Sequence, residues 1–388
     1  MRVDRSKLLI ILQEYFPKDP RVRPIVEHLI TKGYSIDLIC LKGKSQKRVE
    51  KLPFLSIFRI NIDRKRGNIF RYIYEYFIFT ILASYQTFFL YSRHKYQTII
   101  INNPPDFLTF AGFIPRIFGT RIVVDLHEIV PEDFLYKYKP PISSIGYYIS
   151  KFISFISLKW TSALITVNDS LKVIYTKRIH HKKQVTVVIN SVNPKDLIKK
   201  KCLESGKFKI LYHGTLSSVY NLEETIESLN ILKNLGYDNF LFNVLGSGNN
   251  HKYLIDMTYD LKLEENIKFH GQVHHSVACN FLNRSHLGIL SISKNPYTDV
   301  SLSNKLLEYI YFEIPVISSN LNQYMQYFNS DCISYYKSGD KMELSVKIEH
   351  VINHYEIYIQ KSKHAYSLYK NNFSWGKMMN NYIKAINY

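Results

Sequence analysis

The chain has 388 residues, 46% of them hydrophobic and 21% charged, and 51 Lys and Arg against 32 Asp and Glu give a formal net charge of +19. That length suits two domains better than one core, and the composition excludes a disordered or fibrous chain. The charge excess points to polyanionic partners: nucleic acid, an anionic membrane face or phosphorylated ligands. The basic residues are scattered and no nucleic-acid-reading motif accompanies them, which argues against nucleic acid.

Short apolar strands alternate with helical stretches along the chain. The opening MRVDRSKLLIILQEYF has an apolar run too short for a secretory leader and reads as a buried strand, Leu8–Leu12. A helix over Arg23–Lys32, ended by Gly33, and a strand Ile36–Cys40 follow. Tyr76–Leu90 falls short of a membrane span and contains Ser84, Gln86 and Thr87. It reads as a largely buried helix, with an aromatic face touching a membrane surface as the alternative. Strands Thr98–Ile101 and Ile122–Val124, a helix Ile142–Leu158, and strands Ala163–Val167 and Val185–Ile189 complete a first series. These strands lack polar alternation, as parallel strands covered on both faces should.

Residues 194–207 are polar and lysine-rich, with Pro194 and Gly206, and read as a linker. A second series takes in Lys209–Tyr212, Phe240–Leu245, Ile267–Phe269, Leu287–Ile292, Val316–Ser318 and Cys332–Tyr335. Two such series predict an α/β protein of two Rossmann-like, doubly wound domains, 1–193 and 208–372, facing a cleft. Cys40, Cys202, Cys279 and Cys332 lie far apart, which argues against a zinc site or a disulfide framework and fits a reducing cytosol.

Three motifs carry chemistry. In SLSNKLLEYIYFEIPVISS, Ser301–Ser319, a polar turn feeds a helix opening with Asn304 and Lys305, and Glu308 follows one turn in. A helix start offers unpaired N–H groups and partial positive charge, a seat for phosphate, which Lys305 reinforces. Glu308 can accept hydrogen bonds from ribose hydroxyls. Glycines directly after strands, Gly214 in His213-Gly214-Thr215-Leu216, Gly246 in Leu245-Gly246-Ser247-Gly248 and Gly271 in Phe269-His270-Gly271-Gln272-Val273, let main chain approach a ligand. Asp125-Leu126-His127-Glu128 at a strand end presents groups that bind sugar hydroxyls or move protons near neutral pH. Asp19 and Arg21 follow the first strand, where a capped helix start is the plainer reading, and Asn103 sits in the turn Asn102–Asp106.

In this order the motifs resemble those of retaining glycosyltransferases of family 4, glycosyl transferases group 1, which have the GT-B fold. Phe373-Ser374-Trp375 matches the family's closing segment, so the last helix, 373–388, is expected to cross back to the first domain. The resemblance implies a donor site of Gly214, Thr215, Gly246, Gly271, Gln272, Val273, Ser303, Asn304, Lys305, Leu306 and Glu308. It places His127, Asp125 and Glu128 at the catalytic face and Asp19, Arg21 and Asn103 on the acceptor-side loops. The chain departs from the pattern at Thr215 and Tyr220, where Arg and Lys meet the diphosphate, at Val300 for the first Glu of E-x7-E, and at Glu313 and Ile314 for Gly-Lys.

The implied function is transfer of a sugar from a nucleotide-diphosphate sugar to a saccharide or lipid-linked acceptor, in bacterial surface polysaccharide synthesis. No cofactor or metal is expected, since no Asp-x-Asp pair is present, and the place is the cytosol, peripheral on the inner membrane face. The alternatives are a GT-B subunit that binds nucleotide-sugar without turnover and, further off, a basic nucleic-acid-binding protein. Lys137–Lys139 and Tyr147–Trp160, which interleave lysines with aromatics, join Tyr76–Leu90 as the membrane-facing candidates.

Overall fold

The structure, a computed structural model, describes residues 6–65, 69–137, 140–180, 183–200, 202–203 and 205–387. Of the segments singled out above, Tyr138 and Lys139, and Lys201 and Glu204 of the lysine-rich stretch, lie outside these residues. The chain divides into two compact units, Met1–Asn190 with Gly376–Tyr388, and Ser191–Trp375.

The first unit holds an eight-stranded sheet of β1 (Lys7–Tyr15), β2 (Ser35–Leu41), β3 (Val49–Leu52), β4 (Leu55–Ile60), β5 (Thr98–Asn102), β6 (Arg121–Leu126), β7 (Ala163–Thr166) and β8 (Val185–Val187). Their order is β3-β4-β2-β1-β5-β6-β7-β8, parallel throughout except for β3 against β4. β1 sits centrally, Ile10 pairing with Leu38 on one side and Ile100 on the other, and Leu8–Leu12 are buried. The chain leaves β1 towards β2 and later returns to its other side as β5, so the carboxyl ends of β1 and β5 flank the switch point where such sheets bind ligands.

The hairpin of β3 and β4 is absent from the sequence reading. Val49–Leu52 is a mostly exposed edge strand without an apolar face, so the pattern that betrays a buried strand is missing. The expectation of a largely buried Tyr76–Leu90 is also corrected. The helix runs Ile69–Arg93, and Phe77, Ile81, Tyr85 and Phe88 are exposed. Phe79, Ala83 and Leu90 do reach the core, and Glu75 is buried against Arg71.

The second unit holds six parallel strands, β9 (Phe208–His213), β10 (Phe240–Leu245), β11 (Ile267–Gly271), β12 (Leu287–Leu290), β13 (Val316–Ser319) and β14 (Ser334–Tyr336). Their order is β11-β10-β9-β12-β13-β14, which puts the switch point between β9 and β12. Its core is fed by Tyr212, Leu229, Phe240, Phe242 and Leu287. The stretch read as a linker packs on this unit: Asn283 accepts from Lys200 N (2.5 Å) and donates to the Ile198 carbonyl (3.0 Å). The final helix, Trp375–Asn387, lies in the first unit from Gly376 onward.

Candidate active site

In the second unit, the loops after β9 and β10 press main chain against main chain. Gly214 N donates to Leu245 O (2.8 Å), Leu216 N to Ser247 O (3.0 Å) and Gly246 N to Gly271 O (2.7 Å). A Cβ on Gly246 would stand 1.8 Å from the Gly214 carbonyl oxygen, and one on Gly248 would stand 2.0 Å from that of Leu216. Gly214 and Gly246 have φ of +129° and +133°, which L side chains rarely adopt. Gly246 is therefore set by contact as well as by torsion, and Gly248 by contact. The loops border a cavity of about 280 Å³, lined by His213, Gly214, Thr215, Gly246, Gln272 and Val273 among others.

Lys305 enters from the segment after β12. Ser303 caps the helix Asn304–Tyr311, its hydroxyl accepting from Lys305 N at 3.3 Å. The Lys305 side chain lies along Gly214, where a Cβ would meet its Cε at 2.1 Å. Its ammonium sits 3.6 Å from the centre of the Tyr220 ring and 5.5 Å from that of Tyr212. Tyr220, one of the departures from the family pattern, thus holds the cation that remains through its π face. Leu306 points the other way, fully buried in the core, so only its main chain is available to a ligand.

Glu308 lies one helical turn beyond Lys305, with Oε2 3.4 Å from His213 Nε2. Burial pushes the Glu308 carboxyl up to about 7, against the pull of Lys305. Burial, with Lys305 and His275 nearby, drives His213 down to about 3, so its ring is neutral at physiological pH. His213 went unassigned in the sequence reading; its position directly before Gly214 was the available signal. Asp299, beside Val300, is engaged elsewhere, accepting from Asn322 N (2.7 Å) and Nδ2 (2.6 Å).

In the first unit, β6 carries Asp125 next to its last residue, Leu126, and delivers His127 and Glu128 to the turn beyond. His127 Nε2 lies 3.4 Å from Asp125 Oδ1 without hydrogen-bond geometry, and neither ring nitrogen has a hydrogen-bond partner among the described residues. The turn is fixed by Asn103, whose Oδ1 accepts from His127 N (2.7 Å) and whose Nδ2 donates to Asp106 (3.0 Å) and to Glu128 O (3.1 Å). Asn103 is buried, and these bonds tie the turn that carries His127 to the end of β5. The Tyr175 hydroxyl adds a second bond to Glu128 O (2.7 Å). Tyr382, from the final helix, faces Asp125; burial and that carboxylate raise its hydroxyl well above the usual range. Neither tyrosine was found by sequence reading, because nothing in a tyrosine's neighbours shows which strand end it will reach.

Asp19 accepts from Arg21 N (2.8 Å) and Val22 N (3.0 Å) and pairs with the Arg21 guanidinium at 3.0 Å. Burial alone would raise its pKa, but Arg21 and these bonds hold it below the usual carboxylate value. Burial works to lower the Arg21 pKa, and Asp19, Glu128 and Asp125 more than offset it. Arg21 therefore stands among the carboxylates of the site. Asp19, Arg21, Asn103 and Glu128 line one cavity of about 150 Å³ at the ends of β1 and β5, with Gln13, Arg64 and Tyr72. Gly214, Thr215, Gly246, Gln272 and Val273 thus line one cavity of the second unit, with Lys305 lying along Gly214, and Asp19, Arg21, Asn103 and Glu128 line one cavity of the first.

These features define a GT-B fold, and comparison with known proteins agrees. Residues 193–368, nearly all of the second unit, match the family model described as glycosyl transferases group 1. The structure of sucrose-phosphate synthase from Thermosynechococcus elongatus is 14% identical, with 98% of each chain covered and a TM-score of 0.77. WaaG, a glycosyltransferase involved in lipopolysaccharide biosynthesis, is 13% identical over 98% of this chain and 99% of that one, with a TM-score of 0.71. Anabaena HepE in complex with UDP is also 13% identical over 98% of each chain, with a TM-score of 0.68. At such identities the likeness establishes the fold. No curated protein matches the sequence.

Proposed function

We propose that the protein is a retaining glycosyltransferase that moves a sugar from a nucleotide-diphosphate sugar to a saccharide or lipid-linked acceptor. The observation that carries this reading is the strand-end cavity of the second unit, glycine-walled, with Lys305 held over Gly214 and Glu308 one turn away. The solved complex of a protein of the same fold with UDP supports a nucleotide donor. In the proposed step, the bond from the sugar's anomeric carbon to the diphosphate oxygen breaks. A bond from the acceptor oxygen forms on the same face, and the acceptor's proton passes to the departing phosphate. Lys305 and the N–H groups at the start of helix Asn304–Tyr311 meet the charge that develops there. His127, held by Asn103 and backed by Asp125, hydrogen-bonds the transferred sugar, and Glu128 and Arg21 contribute to the acceptor side.

On this reading the positive charge comes from protein, so transfer survives EDTA. A cytosolic place beside the membrane and a role in bacterial surface polysaccharide belong to the same proposal, supported by the fold shared with WaaG. The test is a thermal-shift panel of nucleotide-sugars, where a donor at 100-fold its Kd stabilises by about 2.7 kcal/mol. An assay of nucleoside diphosphate release and the anomeric configuration of the product would follow. Absence of stabilisation by every nucleotide-sugar overturns the proposal. Binding without release under any acceptor favours a nucleotide-sugar-binding subunit without turnover, a reading that Thr215 and Tyr220 keep open.

A further inference from the structure

Three neighbouring segments of the first unit turn apolar sides outward. Helix Ile69–Arg93 exposes Phe70, Tyr74, Phe77, Ile81, Tyr85 and Phe88, three or four residues apart and so along one side. Helix Ile142–Lys159 repeats the pattern with Ile145, Tyr148, Ile149, Phe152 and Ile156. The stretch between them in space, Asp106–Ile117, exposes Phe110, Phe113, Ile114 and Ile117, and Phe118 follows. It packs on both long helices. Phe110 and Phe113 lie 5.9 and 5.8 Å from the Trp160 ring, Tyr91 lies 6.4 Å from Phe118, and the Thr109 hydroxyl donates to Ser157 O at 3.1 Å. The three form one layer, far larger than the scattered apolar residues of an ordinary surface.

The charge on this layer has one sign. Its acids, Glu75 and Asp106, are each 3% exposed. Its cations are Arg71, Arg93, Lys95, Arg116, Lys151 and Lys159, and Lys95 lies 4.8 Å from the centre of the Tyr91 ring. A groove of about 670 Å³ includes Tyr148, Lys151 and Phe152 and adds Lys177 to the basic rim; its one acid, Glu132, is paired with Arg178 at 2.8 Å.

We propose that this face docks the protein on an anionic lipid bilayer. Charge complementarity selects the occupant: a second copy paired through the same face would set Arg93, Lys95, Arg116, Lys151, Lys159 and Lys177 against one another, and the one acid of the groove, Glu132, is already paired with Arg178. Tyrosine rings with an apolar body and a polar tip suit the headgroup level, as lysines suit anionic lipid. Among the described residues no helix is long and apolar enough to cross a membrane, so the contact is one of lying on the surface. Docking itself stands apart from the glycosyltransferase reading. Its use, to present a lipid-linked acceptor to the first unit, rests on that reading.

The experiment is flotation of the full chain with vesicles of phosphatidylcholine alone or mixed with phosphatidylglycerol, at low and high salt. The chain is expected to float with the anionic vesicles at low salt. Lys151→Gln with Lys159→Gln should weaken that binding by about 30-fold, from about 1 kcal/mol per basic residue removed. Phe77→Ser with Phe152→Ser should remove whatever persists at high salt, and neither pair should alter nucleotide-sugar binding. No flotation at low salt, or equal flotation with neutral vesicles, overturns the proposal. So does a dimer, or capture of an acidic protein, that the same substitutions abolish while flotation is unchanged. Flotation without sugar transfer leaves docking in place and removes the enzymatic reading alone.

Discussion

In the second unit the cavity wall is largely main chain: loops after β9 and β10 touch through their backbones, and glycines at 214, 246 and 248 allow it. In the first unit the strand ends of β5 and β6 meet through side chains, with Asn103 holding the His127 turn and Asp125 beside the ring. A backbone-built site demands one residue type at fixed spacing. A side-chain-built site can be made by more than one set of residues. The stretch that the family model matches, 193–368, lies in the unit whose cavity is backbone-built.

The comparison can be broken most directly through glycines. Gly246→Ala should cost about 3 kcal/mol or more, since both a forbidden torsion and a backbone clash must be relieved, and should abolish donor binding. Gly119, in the first unit, has φ +90° but nothing within 4 Å of its would-be Cβ. Gly119→Ala should therefore cost only about 1–2 kcal/mol, the price of the left-handed torsion. Chemical denaturation of the two variants decides it, and equal costs would mean that contact does not set Gly246.

His127→Ala comes next. Transfer should fall by about 10²-fold or more, the range for positioned polar groups in catalysis, with nucleotide affinity kept because the cavity proposed for the donor belongs to the other unit. Asn103→Ala should lower transfer less, with KM for acceptor largely kept, because it removes only the clamp on the turn. Loss of nucleotide affinity in His127→Ala would instead make the histidine a structural residue.

Glu308 and Lys305 sharpen the electrostatic side of the contrast. Glu308→Ala should weaken nucleotide-sugar binding by about 1.5–3 kcal/mol, and Lys305→Ala should weaken it more at low salt than at high. With the free carboxyl titrating at about 7, the nucleotide-sugar that the thermal-shift panel selects, whose diphosphate does not titrate there, should bind more tightly as pH rises from 6 to 8. Glu308→Gln should flatten that profile in calorimetry. The linked stability runs the other way. The folded carboxyl keeps its proton up to about 7 while its ordinary value is 4.5, so the unliganded fold binds the extra proton and loses stability as pH rises through that window. A wild-type profile identical to that of Glu308→Gln would remove the carboxylate from the ribose.

Legibility follows the same divide. Strands such as Phe240–Leu245 were readable because both faces are buried and the apolar run is unbroken. The Lys305 helix was readable because cap, cation and carboxylate fall within six residues. Val49–Leu52 was not, being an exposed edge. Tyr382 reaches Asp125 from a helix more than 250 positions away, a contact that only the folded chain makes. The outward side of Ile69–Arg93 was misread because an apolar helix has the same sequence pattern whether its second face meets protein or something else.

The smallest expected effect tests whether a backbone site can keep its shape without its glycine. Glu313 stands where the family has glycine at the end of helix Asn304–Tyr311, and it keeps a left-handed torsion, φ 53°. That torsion costs a non-glycine residue about 1–2 kcal/mol. Two terms oppose its relief in Glu313→Gly. The ion pair with Lys199 is lost, at about 0–1 kcal/mol for a partly exposed pair, and glycine frees the unfolded chain by about 0.4–1 kcal/mol. The terms nearly cancel, so stability in urea should change by less than about 1 kcal/mol in either direction, with nucleotide-sugar affinity unchanged. A loss beyond about 2 kcal/mol would show that the Glu313 side chain, and not the torsion, anchors this turn, and that the second unit also leans on side chains where its glycine is gone.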